Sequence, residues 1–152
     1  MFKKIWPFIL QILIALAVGG VSAFLTRGNF NVYEEVTRPP LAPPGVLFPI
    51  VWTVLYILMG ISAGLMERTR GSVPFIYYLQ LAVNFFWSII FFNMQSFLFA
   101  FIWLVLLWVL IIAMILDFAR TNKLAAFLQI PYLLWVTFAG YLNFFIWLSS
   151  SY

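Results

Sequence analysis

The chain has 152 residues, of which 66% are apolar, 21% aromatic and 8% charged, with a formal net charge of +4. So little charge cannot keep a globule of this size dissolved, and so much hydrocarbon cannot be hidden inside one. A soluble domain and a disordered chain are both excluded, and the solvent must be a bilayer.

A spanning helix needs about 20 mostly apolar residues. In chain order the sequence predicts an all-α integral membrane protein: a bundle of five transmembrane helices in a single membrane domain, 1–152, with spans at 5–26, 46–66, 73–93, 97–117 and 124–148. The first span is uncharged from Ile5 to Leu25. It is too long for a signal peptide and has no small-residue cleavage site. Residues 27–45 form a proline-rich loop, in which Arg38-Pro39-Pro40-Leu41-Ala42-Pro43-Pro44-Gly45 cannot be helical. It predicts a rigid, extended segment lying over one end of the bundle. Glu67, Arg68, Thr69 and Arg70 close span two.

The stretch from Val73 to Leu116 carries no charge. It is about twice the length that one crossing needs, so it must turn, and Asn93-Met94-Gln95-Ser96 is the best turn candidate. Asp117, Arg120, Thr121, Asn122 and Lys123 form the next loop. Pro131 lies inside span five and is expected to kink it. No internal repeat of the transporter kind is visible.

Orientation follows from Lys and Arg in short loops. Lys3, Lys4, Arg68, Arg70, Arg120 and Lys123 fall on the side of the N-terminus, and Arg27 and Arg38 on the other. The N-terminus is therefore expected in the cytoplasm, with the proline-rich loop outside. The positive charge suits anionic headgroups of membrane lipid, and nucleic acid is not an expected partner.

Cys and His are both absent. That removes disulfides, thiol nucleophiles, imidazole bases and the usual zinc and haem ligands, so no metal site is expected. Ionisable groups are missing from the middle of every span, which argues against proton-coupled export. Asp117 and Glu67 sit at helix ends, where contact with headgroups explains them.

The uncharged polar residues are more informative. Gln80, Asn84, Trp87 and Ser88 share one face of span three, and Phe91 and Gln95 continue the stripe. Trp135, Ala139 and Asn143 share a face of span five, with Tyr132 one turn before Trp135. Trp52, Tyr56 and Met59 line span two near its outer end. An amide in hydrocarbon must find a partner. Two readings stay open: helix-to-helix adhesion, or a cavity of aromatic faces with a few hydrogen-bonding groups, as pockets for flat apolar ligands are built. Trp6, Trp103 and Trp108 read as belt or lipid-facing residues. Ala15, Gly19 and Ala23, and the pair Gly60 and Gly64, would let helices approach closely, within the bundle or between two chains.

Three runs in order resemble the TspO/MBR family, the tryptophan-rich sensory proteins of bacteria and the mitochondrial translocator protein. The first is Arg38-Pro39-Pro40-Leu41-Ala42-Pro43-Pro44 followed by Phe48-Pro49-Ile50-Val51-Trp52-Thr53 and Leu55-Tyr56. The second is Gln80-Leu81, Asn84, Trp87-Ser88 and Phe91-Phe92. The third is Pro131-Tyr132, Trp135, Ala139, Leu142-Asn143 and Trp147.

The resemblance implies a five-helix bundle, often a homodimer, with a ligand pocket under the proline-rich loop. It implies porphyrins such as protoporphyrin IX, sterols and benzodiazepine-type aromatic drugs as partners. No cofactor would be required, porphyrin being ligand or substrate. Carried over residue by residue, the pocket would include Trp52, Asn84, Trp87, Trp135, Ala139 and Asn143, with Tyr33 and Pro43 from the loop. The stripes add Tyr56, Ser88, Phe91, Gln95 and Tyr132. Some bacterial members degrade protoporphyrin in light with oxygen, and Trp52 and Trp135 match the tryptophans implicated there as catalytic. Carriage of porphyrin or lipid across the membrane is the alternative. The cholesterol motif of the animal protein is incomplete here, because no basic residue follows Tyr141. That suits a member from a bacterial cell membrane.

Overall fold

The structure is a computed structural model that describes residues 2–36 and 38–150, with side chains from Lys4 onward. The elements in order are α1 (Phe2–Thr26), a 3-10 turn at Arg27–Asn29, α2 (Val32–Glu35), α3 (Leu47–Arg70), α4 (Phe75–Ser88) continuing into a π turn at Ile89–Asn93, α5 (Phe97–Ala119), α6 (Lys123–Leu128) and α7 (Ile130–Ser150). Among the described residues, five stretches are long and apolar enough to cross a bilayer, with α6 and α7 together making the fifth. The helices turn large apolar side chains outward and bury their amides within an otherwise apolar core. Phe24 (60%) and Leu116 (64%) are exposed, whereas Gln11, Ser62, Gln80, Asn84, Gln129 and Asn143 are buried. That is the arrangement lipid demands, since leaving a polar group in hydrocarbon is more costly than leaving a methyl group there.

Helix α1 packs most extensively on α3, and glycine makes that possible. A methyl group on Gly60 would overlap the Ile12 backbone, and one on Gly64 would press on Phe8. On Gly19 it would run into the Tyr56 ring. Both small-residue sets therefore serve contacts within the bundle, although Ala23 is exposed. Gly71 ends α3 with φ near 90°, a conformation that favours glycine, and its N–H bonds the Glu67 carbonyl at 2.9 Å. At this basic end, Arg70 bonds Asp117 at 3.0 Å, and Asn122 Nδ2 donates to Thr69 at 3.0 Å. These contacts tie α3 to the α5–α6 loop.

Three expectations are corrected. Pro131 does not kink a continuous helix. The chain breaks at Gln129, and Pro131 stands in the first turn of α7, where its missing N–H has no intrahelical acceptor to serve. The loop is not extended throughout, because the 3-10 turn and α2 fold its first half. The proline run from Arg38 is non-helical, with a tight turn from the Ala42 N–H to the Pro39 carbonyl. Trp103 is not simply lipid-facing: its indole donates to the Val83 carbonyl at 2.7 Å, and its ring packs on the core. Trp108 keeps an outer position, 38% exposed, with its indole on Thr137.

Candidate ligand-binding site

The half of the bundle on the side of the proline-rich loop, opposite the basic end and called the outer half for that reason alone, gathers most of the polar and aromatic stripes around two centres. The first joins α3, α4 and α7. Trp52 stacks on Tyr56 with ring centroids 5.6 Å apart and meets Tyr132 edge-on at 6.2 Å. Behind these rings the Tyr56 hydroxyl donates to Asn84 Oδ1 (2.6 Å), Asn84 Nδ2 donates to the Tyr132 hydroxyl (2.9 Å), and Tyr132 donates to Gln80 Oε1 (2.7 Å). Tyr56, Asn84, Tyr132 and Gln80 are all buried. Three helices are thus joined by one line of bonds that water does not compete for.

The second centre joins α4, α5 and α7. Trp87 Nε1 donates to Asn143 Oδ1 at 3.1 Å, and Asn143 Nδ2 donates to the Phe97 carbonyl at 2.9 Å. Phe91 packs against Trp87 and Phe97 at 5.2 and 5.0 Å. Ala139 is buried on α7, midway between Trp135 and Asn143 in sequence.

The loop caps this half. The Tyr33 hydroxyl donates to the Pro43 carbonyl at 2.6 Å, which holds the two ends of the loop together. Burial pushes the Tyr33 phenol above its ordinary pKa, with Arg38 pulling partly the other way, so the hydroxyl keeps its proton and donates throughout the neutral range. The Arg38 guanidinium lies 4.9 Å from the Tyr33 ring centroid. The Tyr33 ring meets Phe48 edge-on at 4.8 Å, and Phe48 meets Trp135 at 5.6 Å. The Trp135 indole N–H is buried and has no hydrogen-bond partner.

Of the residues nominated from sequence, the structure brings Trp52, Tyr56, Asn84 and Tyr132 into one cluster, and Trp87, Phe91 and Asn143 into the second. Tyr33, Pro43 and Trp135 are linked to them through the loop and Phe48. Ser88 is half-buried beside Trp87, off the bonded line. Gln95 does not join the face. The π turn changes the residue spacing that carried the stripe, and Gln95 ends exposed in the turn with φ 52°. Phe48 and Gln80 complete the arrangement. Phe48 is one of 18 phenylalanines, and nothing in its spacing marks it out. Gln80 was visible as the inner end of the span-three stripe.

Comparison with known proteins identifies the family. The TspO/MBR family model matches residues 11–148. The chain is 40% identical to the tryptophan-rich protein TspO of Chlorobaculum tepidum, over 96% of this chain and 97% of the relative. It is 37% identical to protein CrtK of Rhodobacter capsulatus, over 85% and 83%, and 32% identical to the translocator protein of Bos taurus, over 88% and 83%. With the five apolar crossings, the ring-lined outer half and a match over most of its length, this chain belongs to the TspO/MBR family.

Proposed function

We propose that the protein is a membrane receptor and sensor that binds tetrapyrroles such as protoporphyrin IX, and other flat aromatic molecules, in the outer half of the bundle beneath the loop. The observation that carries this reading is the run of rings Tyr33, Phe48 and Trp135 beside Trp52 and Tyr132, with a buried and unanswered indole N–H on Trp135. Ring faces attract a planar conjugated ligand, and the N–H offers it one directional bond. Phe48 and Trp135 touch, so a ligand inserts by parting them, with the loop following. Lacking His and Cys, the chain holds such a ligand by ring faces and hydrogen bonds, without an axial metal bond and without a cofactor. A relative from Cereibacter sphaeroides, 31% identical over 91% of this chain, is named a tryptophan-rich sensory protein, which supports this reading.

Orientation belongs to the same proposal. Lys4, Arg68, Arg70, Arg120 and Lys123 fall at one end against Arg27 and Arg38 at the other, which supports a cytoplasmic N-terminus, and the bacterial relatives support a bacterial cell membrane.

Titration of the purified protein with protoporphyrin IX tests the binding. Saturable quenching of tryptophan fluorescence is expected, with at least tenfold weaker affinity, about 1.4 kcal/mol, after Trp52→Phe and Trp135→Phe together. Unchanged affinity in the double variant would sink the reading. Under illumination with oxygen, Trp52 and Trp135 are the oxidisable rings beside a bound porphyrin. Loss of its absorption bands at equal occupancy should slow in the same variant if the ligand is also a substrate. The name of the bovine relative favours translocation instead. Porphyrin flux into liposomes would mark that activity, which binding alone does not produce.

A further inference from the structure

The line of hydrogen bonds behind the aromatic site has a direction, and its last donor is unanswered. Tyr56 gives its proton to Asn84 Oδ1, so Asn84 presents its nitrogen to the Tyr132 oxygen. The Tyr132 proton then goes to Gln80 Oε1. Gln80 Nε2 is left as a buried donor without a partner. Turning both amides over reverses every bond and leaves Gln80 Oε1 stranded at the same place. The far atom of this amide therefore demands a partner in either arrangement.

More unanswered groups lie at that depth. Helices α4 and α7 both run outward from the basic end, so they are parallel. Tyr77 is one turn inward of Gln80 on α4, and Gln129, between α6 and α7, stands just before the first turn of α7, where its carbonyl accepts from the Leu133 N–H at 3.2 Å, inward of Tyr132. Since Gln80 and Tyr132 are bonded to each other, their inward neighbours face the same interior level. Tyr77, Gln80 and Gln129 are each 0% exposed. The Tyr77 hydroxyl and both amide atoms of Gln129 also have no partner. On α3, the equally buried Ser62 donates to the Ala125 carbonyl at 2.7 Å, one turn before Gln129, and keeps its lone pairs free to accept.

We infer that Tyr77, Gln80 and Gln129 enclose a bound water cluster that anchors the inner end of the Tyr56–Asn84–Tyr132–Gln80 line. The chemistry selects water. The cluster is uncharged, which does not suit an ion. It mixes donors and acceptors, which an apolar ligand would leave unanswered. A water molecule supplies both roles in a small space and stays where several polar groups converge. By holding Gln80, the water fixes Asn84 and Tyr56, on whose ring Trp52 stacks. It is thus a structural ligand beneath the aromatic site, and it needs no other ligand to be present.

A crystal structure of the full chain in lipid, at a resolution that shows ordered solvent, tests this directly. Density is expected within hydrogen-bond distance of the outer amide atom of Gln80 and of Tyr77 or Gln129. A dry interior, or Gln80 bonded directly to Gln129 or Tyr77, would overturn the inference. Thermal unfolding in nanodiscs gives a second readout. Tyr77→Phe should lower the midpoint by a few degrees, because the released water leaves other groups unanswered. Tyr77→Phe combined with Gln129→Met should lower it by less than the two single shifts added, since both release the same water. A raised midpoint in Tyr77→Phe overturns the inference even if Gln129→Met does not fold, and strict additivity overturns it where both fold. Neither measurement contains porphyrin, so its failure is distinct from failure of the proposed binding.

Discussion

The two ends of the bundle are held by different kinds of contact. From the middle of the bundle to the basic end, α1 and α3 meet close to backbone distance through Gly60 and Gly64, and Arg70 ties α3 to Asp117 and Thr121, whereas Gly19 in the other half approaches a ring, that of Tyr56. At the outer end, the side chains that meet are mostly rings, and the cap is a loop closed by one hydroxyl on one carbonyl. Glycine contacts leave nothing to rearrange, because backbone cannot rotate away. Rings can turn about χ1 and χ2 and still find apolar neighbours. Under the proposed binding, one small bundle would be rigid where it holds together and able to part where a ligand enters. The polar line from Tyr56 to Gln80 runs between these regimes.

Substitutions can break this contrast in a graded way. The largest effect is expected from Gly60→Val, which forces α1 away from α3 and should cost about 3 kcal/mol by overpacking. Loss of the folded fraction in detergent on heating would check it, and a variant as stable as the parent would refute the close-contact account of the basic end. Next is Asn84→Leu, which strands the Tyr56 hydroxyl in the interior and takes away the donor to the Tyr132 oxygen, and should cost about 2 kcal/mol. Its unfolding midpoint should fall more than that of Tyr56→Phe, which removes only one bond.

Arg70→Ala should cost about 0.5 kcal/mol, because the ion pair is roughly a third exposed and solvent screens it. The difference from the parent should shrink as salt is raised. The smallest effect on stability belongs to Tyr33→Phe, which removes only the bond to Pro43. It should leave the unfolding midpoint almost unchanged while porphyrin dissociates faster, as stopped-flow fluorescence would record. If Tyr33→Phe instead destabilised the fold as much as Asn84→Leu, the outer cap would be part of the rigid framework and the contrast between the ends would fail.

The crossings were legible because lipid leaves a chain few options. An uncharged run of this length must be helical, and Arg70, Asp117 and Lys123 mark where it stops. The polar stripes were legible for the same reason, since Asn84 and Asn143 cannot face lipid unpaired. Helical spacing placed Asn84 beside Trp87 but could not say that one would bond Tyr132 and the other Asn143. Partners are set by how helices rotate and slide against each other, and many registers satisfy the same pattern.

Gln95 shows where period-based reasoning ends. A single π turn at Ile89–Asn93 altered the spacing and took it off the face. Pro131 shows the same limit at the other side: the sequence located a disturbance in span five, but whether the helix kinks or restarts depends on how α6 packs against α3 and α5. Composition and apolar length alone determined that this is a membrane bundle of five crossings with amides turned inward. Only the tertiary structure decided which ring meets which, that Phe48 links the loop to Trp135, and that Gln80 ends a directed line of bonds. Hydrophobicity is a property of each residue and survives in the sequence, whereas a hydrogen-bond partner is a property of a position in space.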